Sequence, residues 1–364
     1  MHHLLFLLLI PTAILIGGKV MLKESITTKE FLAVYAAILA IMVGGFFTAQ
    51  YMGMLDTEVW GGVISSKDHG SEHCCHCHQE CDQCPDNDDD GGTHSCNCRE
   101  VCLHPQDYWW SLRLSTGDTV SIDSCEPDEY NVPRAWTAAY VGEPAAAEHS
   151  YQNYLKADPG SVLRSARPEG LFFVPNFPRV HDFYKVSSAI NQGTRMPVGA
   201  WNRKLMEMNA DMGSKKQVHA VIIATMEKDP EYATAVEVDW LFGPKNALIF
   251  VLGMDTDGET VKWARVVTIS EVEMLKIRAR DEMPGMKISD VEAMGSYIRD
   301  LTYKEFTRTP METFDYMRAM ASPPAWLLWV LYLLDVLIAV GGVYLAHTQD
   351  FFKEQRFSFR RQRY

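Results

Sequence analysis

The chain has 364 residues, with 34 Lys and Arg against 47 Asp and Glu and a formal net charge of −13. That balance excludes a nucleic-acid-binding body, which needs a positive surface to replace phosphate counterions. The length suffices for two soluble domains, and the overall apolar share is ordinary, so any membrane signal has to come from clustering.

Three apolar clusters carry that signal. Residues 2–18 are almost entirely Leu, Ile, Phe and Ala, interrupted by Pro11 and Thr12; residues 31–54 hold no charge; residues 325–346 hold one, Asp335. About 20 apolar residues in a helix cross a hydrocarbon core, so three membrane helices are expected. A cleaved signal peptide would begin with basic residues. Here Met1, His2 and His3 lead, and Lys19 and Lys23 follow the apolar run, so the first segment is expected to be retained. Lys19, Lys23 and Lys29 lie between the first two segments, and Lys353, Arg356, Arg360, Arg361 and Arg363 follow the third. Basic residues beside membrane helices mark the cytoplasmic side. The expected arrangement is an inner cell membrane protein with its large body on the periplasmic, extracytoplasmic side and a cytoplasmic C-terminus. Ala36, Ala40, Gly44 and Thr48 recur at intervals of four on the second helix, with Gly17-Gly18 and Gly341-Gly342 on the others. Small residues in such register let helices approach closely, and self-association in the bilayer is expected.

After the first two helices and their short cytoplasmic loop (1–54), a cysteine- and histidine-rich β module is expected over 55–146. Residues 57–64 read as a strand. Residues 108–114 and 119–122, flanking Ser115-Thr116-Gly117-Asp118, read as a hairpin. The cysteine-rich stretch between is expected to be an elaborate loop. All nine cysteines lie from Cys74 to Cys125. Cys74, Cys75, Cys77, Cys81, Cys84, Cys96, Cys98 and Cys102, with His76, His78 and His94, offer the clustered thiolate and imidazole donors that zinc prefers, and Cys81-x-x-Cys84 has zinc-pair spacing. In an oxidising compartment the same cysteines would form disulfides instead, and both readings stand at this point. Either cross-link would be structural. Asp86, Asp88 and Asp90 followed by Gly91 match the opening of a calcium loop, but Asn97 stands where the bidentate Glu belongs. This motif gives a solvated acidic turn, with weak calcium binding as the alternative.

A Pro-, Gly- and Ser-rich linker is expected over 147–182, and an α/β domain over 183–320. Residues 201–212, 232–241 and 289–306 carry helical patterns; 218–224, 247–252 and 261–267 read as strands, the first two continuously apolar and so covered on both faces. Asp255 and Asp257 close a strand end, where α/β domains often place ligands. With Asp229 and Asp239 they are a possible cation site, against a plain Asp-Gly hairpin turn. Asp335, midway along the third membrane helix, reads either as a packing hydrogen bond or as a proton or ion site at a subunit interface.

The run Trp240-Leu241-Phe242-Gly243, a short link to Asn246, a strand, an acidic turn and a further strand resembles the TPM domain family of thylakoid-lumen and bacterial extracytoplasmic proteins. The resemblance covers about a third of the chain. It departs from the family pattern at Ala247, where Asn-Gly is usual, and around 265–269, where a glycine-rich stretch is missing. It implies a TPM-like α/β fold, a membrane helix after the domain, and a divalent-cation-dependent phosphatase activity or calcium binding. The first region and Tyr151-Gln152-Asn153-Tyr154-Leu155-Lys156-Ala157 resemble uncharacterised membrane proteins of large tailed phages and some bacteria, which implies an origin and no activity. GxSxG, Walker A, HExxH and GxGxxG patterns are absent from the sequence. The expectation is thus an α+β membrane protein acting as an anchored assembly or binding protein, with the phosphatase, or an oligomeric proton path at Asp335, as alternatives.

Overall fold

A computed structural model describes residues 2–21, 28–73, 76–85, 93–104, 106–122, 132–157, 167–169, 172–240 and 245–348. In chain order the elements are α1 (His2–Met21), α2 (Thr28–Met54), β1 (Leu55–His73), β2 (Cys77–Pro85), β3 (Thr93–Cys102), β4 (Gln106–Leu114), β5 (Thr119–Ser121), α3 (Arg134–Ala138), β6 (Pro144–Gln152) and α4 (Tyr154–Ala157). There follow β7 (Val180–His181), β8 (Lys185–Val186), β9 (Ala189–Gln192), α5 (Val198–Lys216), β10 (His219–Thr225), α6 (Glu231–Trp240), β11 (Ala247–Met254), β12 (Val261–Val267), α7 (Glu273–Glu282), α8 (Val291–Glu305), a 3-10 helix (Met311–Met320) and α9 (Ala325–Thr348). The chain divides into two compact units: Met1–Asp56 with Tyr151–Arg164 and Pro310–Tyr364, and Thr57–Ser150 with Ser165–Thr309.

The first unit holds the three helices long and apolar enough to cross a membrane, α1, α2 and α9. Leu7 and Leu15 of α1, Ile38, Met42 and Phe46 of α2, and Leu331 and Ala339 of α9 form their shared cluster. The glycines that matter are single members of each pair. A Cβ at Gly18 would stand 2.8 Å from Val343, one at Gly342 2.6 Å from Val34, and one at Gly45 3.0 Å from Leu331, whereas Gly17, Gly44 and Gly341 have nothing within 4 Å. The stripe of Ala36, Ala40, Gly44 and Thr48 is exposed; the packed face of α2 is the larger-residue stripe beside it.

The second unit joins two four-stranded sheets. One has the order β5-β4-β1-β6, with β1 and β4 antiparallel from Ile64 opposite Leu114 to His73 opposite Gln106. Its core is Ile64, Trp110, Leu112, Leu114, Ala145 and Tyr184. The other has the order β12-β11-β10-β9: β9, β10 and β11 run parallel, and β12 returns antiparallel to β11. Every residue of β10 and β11 is buried, which their unbroken apolar runs require. Ala220, Ile222, Phe250 and Leu252 pack with Leu205 and Met212 of α5 and Ile298 of α8. Val221, Ile223 and Val251, on the opposite face, pack with Tyr232 and Val236 of α6. Phe172, Val174 and Phe177 lie over that second cluster, and β6 runs on to Gln152. Within the segment read from its Pro and Gly content as a linker, β6 and the Phe172, Val174 and Phe177 side chains are among the described parts that pack.

β1 of the first sheet meets helix α5 backbone to backbone. A Cβ at Gly61 of β1 would stand 2.3 Å from the Asn209 carbonyl oxygen, and one at Gly213 of α5 would stand 2.3 Å from the Gly61 carbonyl oxygen. Beside this contact the Asn246 amide donates to the Val59 carbonyl at 2.6 Å. The Arg308 guanidinium grips the buried Glu58 carboxylate at 2.8 and 2.9 Å, and the Trp60 indole N–H donates to the same carboxylate at 2.8 Å. We expect Gly213→Ala to cost about 1–3 kcal/mol through overpacking. It should lower the melting temperature of the detergent-solubilised protein, and an unchanged melt would mean the contact is loose.

His219 opens β10 fully buried, its Nε2 3.0 Å from the Ser188 hydroxyl, and burial pushes its pKa down to about 4. An imidazole that resists protonation in the fold but titrates near 6.5 when unfolded leaves stability intact above pH 6.5 and removes it as the pH falls from 6.5 toward 4. The loss reaches at most about 3 kcal/mol. A pH series of thermal melts should show it, and His219→Gln should flatten that part of the profile. A wild-type melt flat from pH 6.5 to 4 would contradict this.

Candidate functional site

The cysteine-rich stretch is not a loop between strands. It is itself an antiparallel hairpin of β2 and β3, inserted between β1 and β4 just beyond the end of their ladder, where His73 faces Gln106. The sulfurs of Cys77 and Cys102, Cys81 and Cys98, and Cys84 and Cys96 pair as disulfides, with Cα–Cα separations of 4.1, 4.0 and 5.8 Å. Cys77 and Cys102 are register partners. Cys84 faces His94, so its bond to Cys96 runs diagonally. Between Glu80–Arg99 and Asp82–Cys96 the register shifts by one residue. The extra residue is accommodated at Asn97, with φ 48°, a backbone that Asn tolerates better than most residues.

The strands of this hairpin bury almost nothing, and an isolated two-stranded hairpin is at best marginally stable in water. The covalent bonds supply what the missing core cannot. Closing a 15-residue loop is worth roughly 3 kcal/mol in the chain-entropy account, and here loops of 25, 17 and 12 residues are closed.

Most of the sequence-predicted zinc donors are thereby engaged with one another. Cys77, Cys81, Cys84, Cys96, Cys98 and Cys102 are bridged, and a bridged sulfur is not the thiolate that zinc requires. Cys74, Cys75 and Cys125 lie outside the described residues, as does the acidic run from Asp86 to Gly91. Among the described residues one group of donors converges, at the foot of the hairpin: His73, Cys77, Glu100 and Cys102, with all four donor atoms within 4.8 Å of one another. His73 Nε2 stands 3.5 Å from Cys77 Sγ, 3.9 Å from Cys102 Sγ and 3.4 Å from Glu100 Oε2. His76, His78 and His94 are not part of that group. Glu100 was not legible as a ligand from the sequence. The available signal was His73 four residues before Cys77, facing a strand whose direction only the hairpin reveals.

The four aspartates of the second candidate site do not form such a group among the described residues. Asp257 turns back on its own hairpin, accepting from the Thr260 hydroxyl at 2.6 Å and from the Thr260 and Glu259 amides at 2.9 and 2.8 Å. The Thr260 hydroxyl first, then those amides, holds its carboxyl down at about 2. Asp255 lies 3.9 Å from Lys262. Asp229 accepts from the Glu231 amide at the start of α6, and Asp239 pairs with Arg167 at 3.0 Å. Each carboxylate has its own, separate partner.

Asp335 is fully buried on the α9 face that carries Leu331 and Ala339, and neither of its carboxyl oxygens has a hydrogen-bond partner among the described residues. A polar group so placed in a helix apolar enough to cross a membrane is costly.

No protein-family model matches the chain, and neither does any curated protein or solved structure.

Proposed function

We propose that this chain is a membrane-anchored extracytoplasmic binding or assembly protein that presents a disulfide-laddered hairpin from a β-plus-α/β body. The observation that carries the reading is the set of three cross-strand disulfides in an exposed hairpin. Such bonds persist in oxidising compartments and are rare in the cytosol, and they agree with the basic residues that flank the apolar segments on the opposite side. The parallel β9-β10-β11 core with β12 antiparallel supports a TPM-like assignment for this domain. The local use of Asp255 and Asp257 supports binding over a TPM-like phosphatase. The exposed Ala36, Ala40, Gly44 and Thr48 stripe supports self-association of α2 with a second copy.

After mild phosphine reduction of intact cells, a membrane-impermeant maleimide should label the cysteines of β2 and β3, whereas a tag fused after Tyr364 should react with antibody only once the cells are permeabilised. Labelling that itself required permeabilisation would overturn the orientation.

A second reading rests on the four converging donors at the hairpin foot. Reduction of the Cys77–Cys102 bridge by a thiol reductant passes two electrons and two protons to the sulfurs, while the reductant becomes a disulfide. The two thiols can then release their protons to solvent and bind zinc as thiolates, with His73 and Glu100 completing a four-coordinate set. The oxidised protein should retain no zinc through gel filtration. The reduced protein should retain zinc at this site, with retention falling in His73→Ala. Equal retention in the oxidised protein, or none in the reduced one, would count against the site.

A further inference from the structure

A cavity of about 350 Å³ opens between the β7–β8 hairpin, the Tyr140–Pro144 turn and one face of α5. It belongs to the second unit alone, lies away from the cysteine hairpin in sequence, and has the size of a small-molecule site, which starts at about 300 Å³. Its apolar surface comes from Pro144, Val186 and Met206. Val186 and Met206 also belong to the small cluster that packs around Val59, so this wall is fixed by the fold.

The polar groups are unevenly committed. Glu143 is turned into the wall: its carboxylate accepts from the Tyr184 hydroxyl and from the Tyr140 amide, both at 3.2 Å. The Asn202 Oδ1 accepts from the Ala189 amide at 2.9 Å, which fixes the side chain and leaves its Nδ2 as the remaining donor. His181 Nε2 lies 3.0 Å from the Ser187 hydroxyl, and its Nδ1 lies 3.3 Å from Asp182 Oδ2, so the ring is oriented from both sides. Lys185 and Arg203, by contrast, form none of the ion pairs found among the described residues. Among the described residues Lys185 meets the Tyr184 ring, at 5.4 Å. Two cations therefore line a partly apolar cavity without anionic partners among the described residues, and Glu207 on the same helix face keeps the local charge low.

We propose that this cavity binds a small organic monoanion, a carboxylate carried on an apolar body. Arg203 and Lys185 supply the charge, and a guanidinium suits the planar, two-oxygen geometry of a carboxylate. Pro144, Val186 and Met206 take the body. Glu143 and Glu207 disfavour a second negative charge, which selects a monoanion over a phosphate dianion. The site is independent of the membrane orientation and of the state of the cysteines, so its failure would leave the proposed function untouched.

The test is calorimetric titration of the full chain in mild detergent with hexanoate and benzoate, alongside hexanol, benzyl alcohol and inorganic phosphate. One or both acids should bind saturably, with the matching alcohol and phosphate at least about tenfold weaker, a difference of about 1.4 kcal/mol. Arg203→Gln should weaken acid binding about tenfold, and Glu207→Gln, which removes a repulsive charge, should tighten it. Both positions are exposed, and melting curves would confirm that the variants fold. The proposal is overturned if neither acid binds up to about 10 mM, if the alcohol or phosphate binds as well as the acid, or if neither substitution changes the affinity.

Discussion

The body depends on a contact in which no side chain takes part. Where β1 crosses α5, Gly61 and Gly213 bring two backbones together at a distance that leaves no room for a β-carbon on either. Close packing of this kind is intolerant of added volume. It sets how near β1 lies to α5, and the neighbouring polar bonds are cut to that distance. The Asn246 amide reaches the Val59 carbonyl, and Arg308 reaches Glu58, only because β1 lies so near. A buried ion pair is weak evidence of stability by itself. Here Glu58 is also held by Trp60, and the Arg308 guanidinium lies 5.6 Å from the Trp60 ring centroid, so the charge is buried with partners on several sides.

β1 is thus the organising strand. Its first half is pinned to the α/β sheet, its middle supplies Ile64 to the core of its own sheet, and its end carries His73 to the foot of the cysteine hairpin. A single 19-residue strand links the packed body to an element that has almost no core of its own. The β7–β8 cavity uses the same wall, through Val186 and Met206 next to Val59.

The apolar runs were legible. The three helices long and apolar enough to cross a membrane, β10, β11 and β12, and the helices α5, α6 and α8 all announce themselves by length or period, because apolar length or burial on one face or both leaves a pattern in sequence order. The cysteine stretch did not announce its strands. Its residues alternate no hydrophobic face, and its order comes from bonds between residues 12 to 25 positions apart, which spacing alone leaves open. The same holds for the contact glycines. Gly44 and Gly45 are indistinguishable as letters, and only the helix rotation selects Gly45 as the one that meets Leu331. The cavity was invisible for a further reason: His181 comes from β7, Ser187 follows β8, and Asn202 and Arg203 come from α5, and the two-residue strands β7 and β8 have no period to read.

The arrangement of the three bridges has a consequence for how the hairpin fails. Each bridge among the described residues joins β2 to β3, and these three enclose the segment between Pro85 and Thr93. A protease that cuts the chain anywhere in that segment separates nothing. The two new ends stay tied, their register cannot slide, and the fragments part only on reduction. The chain between Pro85 and Thr93 can therefore be nicked, or exchanged for unrelated sequence, without the molecule losing its covalent continuity.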